Sequence, residues 1–358
     1  MLLDFEVAPE QEAEGLRVLG DFFRSPSIEA DDLEVAKQFR ANWLARPFEE
    51  PGVIGSRVNR KKLLGAMHPY AWPHDGTAAE IRALKAGDVL AAFHRVAEPR
   101  RIRIATAGSC DPEQIRPRLE RAVGDLRGDA RSAAPLPAIP PLPTTSPARR
   151  VHLVDRPQSA LSHVRWSWTG ATPTERLTLR VLAELLSSRA HVRIARELQL
   201  TEDYEIGYVG ERAGLWLTIS GRVVSTRTAE LLREIGSIVD DLASSPSSAA
   251  IDSAKTRVLG RHVLSIERAR DLSALLARDT FGDFQSDQLS RIEDGIRAVS
   301  TADVQVLAKR MLSSRTGTVV IVGDEATLRG PACGRRLGCS RAVRSRRQRA
   351  QALTSGRA

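Results

Sequence analysis

The 358-residue sequence holds only three cysteines, Cys110, Cys333 and Cys339. So few thiols exclude a disulfide scaffold, and a chain this long buries a core without one. No stretch approaches the ~18 uninterrupted apolar residues of a membrane-spanning helix, and the opening MLLDFEVAPEQEAE is acidic and too briefly apolar for a secretory leader. Phosphate-loop, GxGxxG and GxSxG patterns are also missing, which removes the common nucleotide and serine-hydrolase readings. The expectation is a soluble cytoplasmic protein with no membrane contact.

Acids are missing from one region. Lysine and arginine together number 53 against 44 aspartates and glutamates, a formal charge of +9. After Glu325 there is no further acid, while nine arginines follow, from Arg329 to Arg357. The body is therefore neutral and the tail alone is basic. Such a run neutralises phosphates without reading sequence, and it lacks the interleaved aromatics that stack on bases, so a nucleic-acid partner is not expected.

Six of the nineteen prolines fall in residues 130–150. Proline removes backbone donors and favours an extended path, so this stretch reads as an interdomain linker. The boundaries that follow are 1–129, 130–150, 151–325 and a tail at 326–358, expected to be disordered. Apolar residues recur at helical spacing in Leu231, Leu232, Ile235, Ile238, Val239 and Leu242, and in Leu177, Val181, Leu182 and Leu185 after Thr174 as N-cap. Val164, Trp166 and Trp168 alternate with polar residues, as do Leu215, Leu217 and Ile219, which is the strand period. Short buried-type strands are expected at Ile102 to Ala107 and Thr318 to Val322. The fold class is α+β.

The chain also repeats itself. Ile81, Asp88, Val89 and Gly108 recur as Ile296, Asp303, Val304 and Gly323, each 215 residues on. Upstream, Gly20 matches Gly236, Ser25-Pro26 matches Ser245-Pro246, and Ala36-Lys37 matches Ala254-Lys255. Two copies of one unit are expected, the first incomplete at its N-terminus because the counterpart of residues 151 to about 215 would precede Met1.

His68-Pro69-Tyr70, Pro73, Gly76-Thr77, Ile81, Leu84 and Asp88 form an HPY…P…GT…I…L…D run. In the second copy Val151-His-Leu-Val-Asp155-Arg-Pro157 opens a strand, and Ser187-Ser188-Arg189 leads through Arg196-Glu197 to Tyr204. These stretches resemble the insulinase/pitrilysin family of zinc metallopeptidases, which includes the mitochondrial processing peptidases, over residues 1 to about 325. The resemblance implies two homologous insulinase-like domains, each a mixed sheet with helices packed on one side.

Catalytic members carry an HxxEH zinc motif and a later glutamate ligand. Zinc catalysis needs three protein ligands and an open position for water. This sequence has no HxxEH, and no two of its seven histidines, at 68, 74, 94, 152, 163, 191 and 262, stand four apart. Where the later glutamate belongs, the sequence reads Asn42-Trp43-Leu44. The resemblance thus implies a non-catalytic member, with no catalytic residue, metal ligand or cofactor of its own, zinc being expected in the family or in a partner subunit. It also implies a zinc-bearing peptidase subunit of the same family as partner and a peptide as substrate. Arg196 and Tyr204 match the family's substrate-contacting Arg and Tyr, with one extra residue between them and Glu184-Leu185-Leu186 in place of the usual Gly-Gly. A guanidinium suits peptide carbonyls and a phenol steadies an oxyanion. A scaffold without peptidase role, and a remnant of an active enzyme, remain open readings. Outside the resemblance, His68 reads as structural ahead of the Pro69 turn, the tryptophan pair as core, and Asp111 and Asp324 as capping acids.

Overall fold

The computed structural model describes residues 3–45, 50–72, 76–99, 102–126, 139–211, 213–244, 246–279, 288–328 and 339–340. In chain order the helices are α1 (Glu12–Arg24), α2 (Ala30–Ala45), α3 (Pro51–Leu64), α4 (Ala78–Ala83), α5 (Ala86–Val96), α6 (Pro112–Val123), α7 (Arg176–Ala190), α8 (Thr228–Ser244), α9 (Ser248–Ser265), α10 (Ala269–Asp279), α11 (Gln288–Ala298), α12 (Thr301–Met311) and α13 (Glu325–Leu328). The strands are β1 (Arg150–Asp155), β2 (Leu161–Ala171), β3 (Tyr204–Glu211), β4 (Gly214–Val224), β5 (Thr318–Gly323) and β6 (Cys339–Ser340). None of the described helices is long and apolar enough to cross a membrane.

Packing divides the chain into two units that interleave in sequence: residues 1–44, 77–138 and 260–290 form one, and 45–76, 139–259 and 291–358 the other. The repeat boundaries near 130–150 concern sequence, whereas these units concern contacts. They differ because residues 50–72 of the first copy pack with the second.

The second unit holds the sheet, in the order β3-β4-β2-β5-β1-β6. β5 lies parallel to β1 and antiparallel to β2, so the sheet is mixed. Alternation on β2 sends Val164, Trp166 and Trp168 to one face, where they are fully buried with Leu179, Leu182 and Leu186 of α7. The two indoles stack at 4.9 Å, and their N–H groups donate to the carbonyls of Thr316 and Ser313 at 3.0 and 3.2 Å, so no buried polar atom offsets the apolar gain. Trp166 and Trp168 are core residues. Truncating either to alanine costs about 3–5 kcal/mol.

One expected cap moves. Pro173 takes a first-turn position, where its missing N–H does no harm, so the cap falls to Thr172. The Glu175 carboxylate accepts from the Thr172 N–H at 2.9 Å. Thr174 is therefore inside the turn and is not the N-cap. By contrast Asp111 caps α6, accepting from the Glu113 N–H at 3.0 Å, and Asp324 accepts from the Thr327 N–H at 3.1 Å.

The other face of the sheet is not bare. Gly52, Gly55 and Asn59 line one side of α3 at helical spacing, and α3 lies across β2 and β5. Ile54 and Val58 meet Val154, Val320 and Val322. Buried Asn59 donates to the Thr318 carbonyl at 3.1 Å and accepts from the Ser167 hydroxyl at 2.8 Å, which satisfies both ends of its amide. The described half of the proline-rich stretch is also pinned: the Leu142 N–H donates to the Ala213 carbonyl and the Gly317 N–H to the Pro147 carbonyl, both at 2.8 Å. Residues 130–138, and the tail apart from 326–328 and 339–340, lie outside the described residues.

The first unit is helical. Arg118 of α6 pairs with Glu12 of α1 at 2.6 Å, and Phe22 and Phe23 of α1 pack edge-on or tilted against Phe93 of α5. Its buried apolar side chains among the described residues are Leu19, Ala41, Leu44 and Ile115, while all three core clusters lie in the second unit. Ile102 to Ala107, expected as a strand, joins no strand among the described residues, and Ile104 is 39% exposed. A strand needs a neighbour to bond its backbone groups, and the described residues of this unit form no sheet.

Candidate functional site

Arg196 and Tyr204 sit at the two ends of the connection from α7 to β3. α7 runs without a break into a seven-residue π-helical stretch, His191–Glu197. The wider turn brings residues five apart together, so the exposed Arg196 donates through Nε to Nε2 of His191 at 3.1 Å. Ile194 and Ala195 anchor the stretch in the core. Arg193 braces it from outside with ion pairs to Glu197 at 3.0 Å and Glu234 at 2.8 Å.

Gln199 ends the turn with φ of 47°, a left-handed position that glycine adopts more readily. Tyr204 opens β3 opposite Gly221. A Cβ on Gly221 would stand 2.8 Å from both the Tyr204 Cβ and the Asp203 carbonyl, so only glycine allows this approach. The Tyr204 ring turns toward the helix-covered face and is half-buried, which raises its hydroxyl pKa through desolvation. Asp203, beside it, forms an ion pair with Arg222. Among the described residues no hydrogen bond joins Arg196 to Tyr204. The exposed guanidinium and the half-buried phenol thus lie on consecutive elements.

A second constellation, which sequence reasoning missed, lies under α3. His163, Arg165 and Ser167 occupy the row of β2 opposite the tryptophans. The pattern reads as a solvent face, yet His163 packs against α3, with the Cβ positions of Gly52 and Gly55 at 3.2 and 3.3 Å from its ring nitrogens. Among the described residues, its Nδ1 and the Arg165 Nε are buried without a hydrogen-bond partner. Burial lowers the His163 pKa to about 4, with Arg165 and Arg222 acting in the same sense and Asp203 against it. His152 on β1 is lowered too, by burial and by Lys62 and Arg150. The one sequence signal was the small-residue spacing of Gly52, Gly55 and Asn59. His68 is structural: buried, its Nδ1 accepts from the Tyr70 N–H at 3.1 Å and its Nε2 donates to the Pro140 carbonyl at 3.0 Å. Pro73 and His74 lie outside the described residues.

The described residues offer no ligand set that fits catalytic zinc. Among the described residues no three His, Cys, Asp or Glu side chains converge. At the position matching the family's glutamate ligand, Asn42 and Trp43 face outward and Leu44 is buried. A cleft of about 510 Å³ in the first unit, lined by Val18, Phe22, Leu90 and Phe93, has one carboxylate, Asp21, already paired with Arg17 at 2.6 Å.

A family model described as the peptidase M16 inactive domain matches residues 83–258. No curated protein matches the sequence. Among solved structures, the peptidase M16 inactive domain from Pseudomonas fluorescens superposes with a TM-score of 0.72 at 18% identity, covering 88% of this chain and 76% of that one. A protease from Helicobacter pylori gives 0.78 at 15%, covering 88% and 78%. A chain of complex III from Candida albicans gives 0.71 at 14%, covering 93% and 82%. At these identities the solved structures establish the fold.

Proposed function

The chain belongs to the insulinase/pitrilysin family of M16 peptidases, and from that premise we propose that it is a non-catalytic cytoplasmic subunit that pairs with a zinc-bearing HxxEH subunit and lends it peptide-binding surface. The observation that carries the reading is donor chemistry: Asn42, Trp43 and Leu44 stand where a carboxylate ligand is required, and no alternative donor cluster replaces it among the described residues. That a chain of complex III has this fold supports a place within an assembly. In this reading Arg196 donates to substrate carbonyls and the Tyr204 hydroxyl hydrogen-bonds the peptide backbone near the partner's zinc. Tyr204, with its raised pKa, stays protonated and able to donate at neutral pH.

The test is co-purification from the native source followed by metal analysis and a peptide-cleavage assay. The chain alone is expected to hold no stoichiometric zinc and to cleave nothing, and to recover with an HxxEH subunit whose cleavage rate falls at least tenfold with Arg196→Ala or Tyr204→Phe. One zinc per isolated chain overturns the non-catalytic assignment. Recovery without any HxxEH subunit overturns the pairing and leaves a scaffold.

A further inference from the structure

We propose that the end of the second unit's sheet where α3, β1 and β6 meet holds the aspartate and glutamate side chains of an extended peptide, so that the peptide this subunit captures is acidic. The inference rests on the subunit reading and adds its substrate class. β1 sends Val151 and Leu153 into the core, and Arg150 and His152 to the face that α3 covers. Lys61 and Lys62 stand in the last turn of α3. Burial, then Lys62 and Arg150, hold the His152 pKa below its ordinary value. His152 itself is buried, while Lys62 and Arg150 are exposed. The Lys61 ammonium lies 5.6 Å from the ring centre of Trp72, which is 59% exposed.

The two faces of the sheet treat charge differently. On the face packed with helices the arginines are matched: Arg193 pairs with Glu234 at 2.8 Å, Arg257 with Glu184 at 2.6 Å and Arg310 with Glu175 at 2.5 Å. On the α3 face Lys61, Lys62 and Arg150 form no ion pair among the described residues. Residues 51–74 carry four lysines or arginines and no acid, and residues 148–154 carry two and no acid. β6 runs parallel along Val151 and His152, so the strand bordering the site belongs to the acid-free tail. Like charges gathered without a counterion repel, and an anion laid among them relieves the repulsion.

The spread of these cations selects the occupant. A free phosphate is held by donors that converge on one point, whereas here they are distributed along α3 and β1. An extended peptide sets alternate side chains on one face, so carboxylates at every second residue meet the cations in turn. Nucleic acid needs several aromatic faces on which bases stack, and the site offers one, Trp72.

Fluorescence anisotropy of the full chain tests the proposal, with labelled peptides of about ten residues that alternate Glu-Ala, Gln-Ala or Lys-Ala. The Glu-Ala peptide should bind roughly tenfold tighter than Gln-Ala at low salt, with the preference fading as salt rises, and Lys-Ala should not bind. Lys62→Glu and Arg150→Glu should each weaken Glu-Ala binding roughly tenfold and leave the melting temperature unchanged, because both side chains are exposed. Arg233→Glu on α8, behind the sheet, is the control of equal charge and should leave the affinity as it was. Equal affinity for Glu-Ala and Gln-Ala overturns the proposal, as does no binding at all. Neither result touches the co-purification that decides the subunit reading. Binding that is lost only on removing residues 341–358, with Lys62→Glu and Arg150→Glu silent, also overturns it, since the tail then holds the peptide. So does tighter binding of a single-stranded oligonucleotide with the same dependence on Lys62 and Arg150.

Discussion

Val96 and Met311 are matched residues 215 positions apart, each the last residue of an eleven-residue helix, yet one is 49% exposed and the other 1%. α5 and α12 form alike because helix formation is local: their hydrogen bonds, propensities and first turns lie within the segment. Their burial differs because α12 packs against α7, α8 and β2, whereas the first unit contains no sheet among its described residues. The strand-like stretches diverge further. Val319 to Val322 sit centrally in a sheet with partners on both sides, and the matched residues 104–107 join no strand among the described residues. Duplicated sequence thus carries a helix with it, but a strand only when its neighbours come too.

The largest expected effect separates those strands. Ile321→Ala should cost about 2–5 kcal/mol in urea unfolding followed by tryptophan fluorescence, and Ile104→Ala no more than about 0.5 kcal/mol. Four of the five tryptophans lie in the second unit, so that signal reports chiefly on it. Equal losses would break the contrast.

Next comes acid sensitivity, which should begin in the second unit. His163 has a folded pKa of about 4 against an ordinary 6.5. A depressed pKa means the unfolded chain binds the proton first, so the contribution is whole above pH 6.5 and is lost as pH falls toward 4. The loss is at most roughly 3 kcal/mol. His163→Gln should flatten the stability–pH slope across that window. An unchanged slope would show that α3 does not desolvate this ring.

A smaller effect sharpens the helix half of the comparison. The Ser300 hydroxyl accepts from the Asp303 N–H at 3.1 Å and the Asp303 carboxylate accepts from the Ser300 N–H at 3.0 Å, a complete reciprocal cap. In the first copy the Asp88 carboxylate accepts from the Lys85 N–H at 2.9 Å, but lysine has no acceptor to return. Ser300→Ala should lose about 1 kcal/mol and Lys85→Ser should gain about 0.5–1 kcal/mol. Thermal melts of the two single variants check the opposite signs.

Smallest is Gln199→Gly, expected to stabilise by about 0.5–1 kcal/mol because φ of 47° strains a residue with a Cβ. No gain in the melt would mean that the glutamine side chain compensates.

The same division governs what could be read in the sequence. Period two on β2 and β4 and period 3.6 in α7 and α8 marked the second unit's core, because each pattern reports a single buried face. Capping acids such as Asp111 were legible, being local chemistry. The cap at the entry to α7 lies two residues before Thr174, because Pro173 opens a 3-10 turn, Pro173–Glu175, that hydrophobic spacing does not reveal. Ile102 to Ala107 failed since β-branching and apolarity describe a strand's suitability and say nothing of its partner. α3 on the sheet was invisible for the opposite reason: the His163 row looks like a solvent face, and only a partner distant in sequence makes it an interior. Arg196 and Tyr204 emerged solely through resemblance, for an exposed arginine and a half-buried tyrosine carry no pattern of their own.

The strand order has a consequence for how the molecule is made. β1 and β2 are consecutive in the chain yet not neighbours, since β5 lies between them, and Arg150 finds its partner at Thr318, 168 residues later. Loops of that span close slowly, so a nascent chain can assemble β2, β3 and β4 as an antiparallel sheet, with β4 between β3 and β2, while a slot on the other side of β2 waits. Until Gly323 leaves the ribosome that slot is an open edge, and the last strand synthesised in the centre of the sheet is the one that locks it.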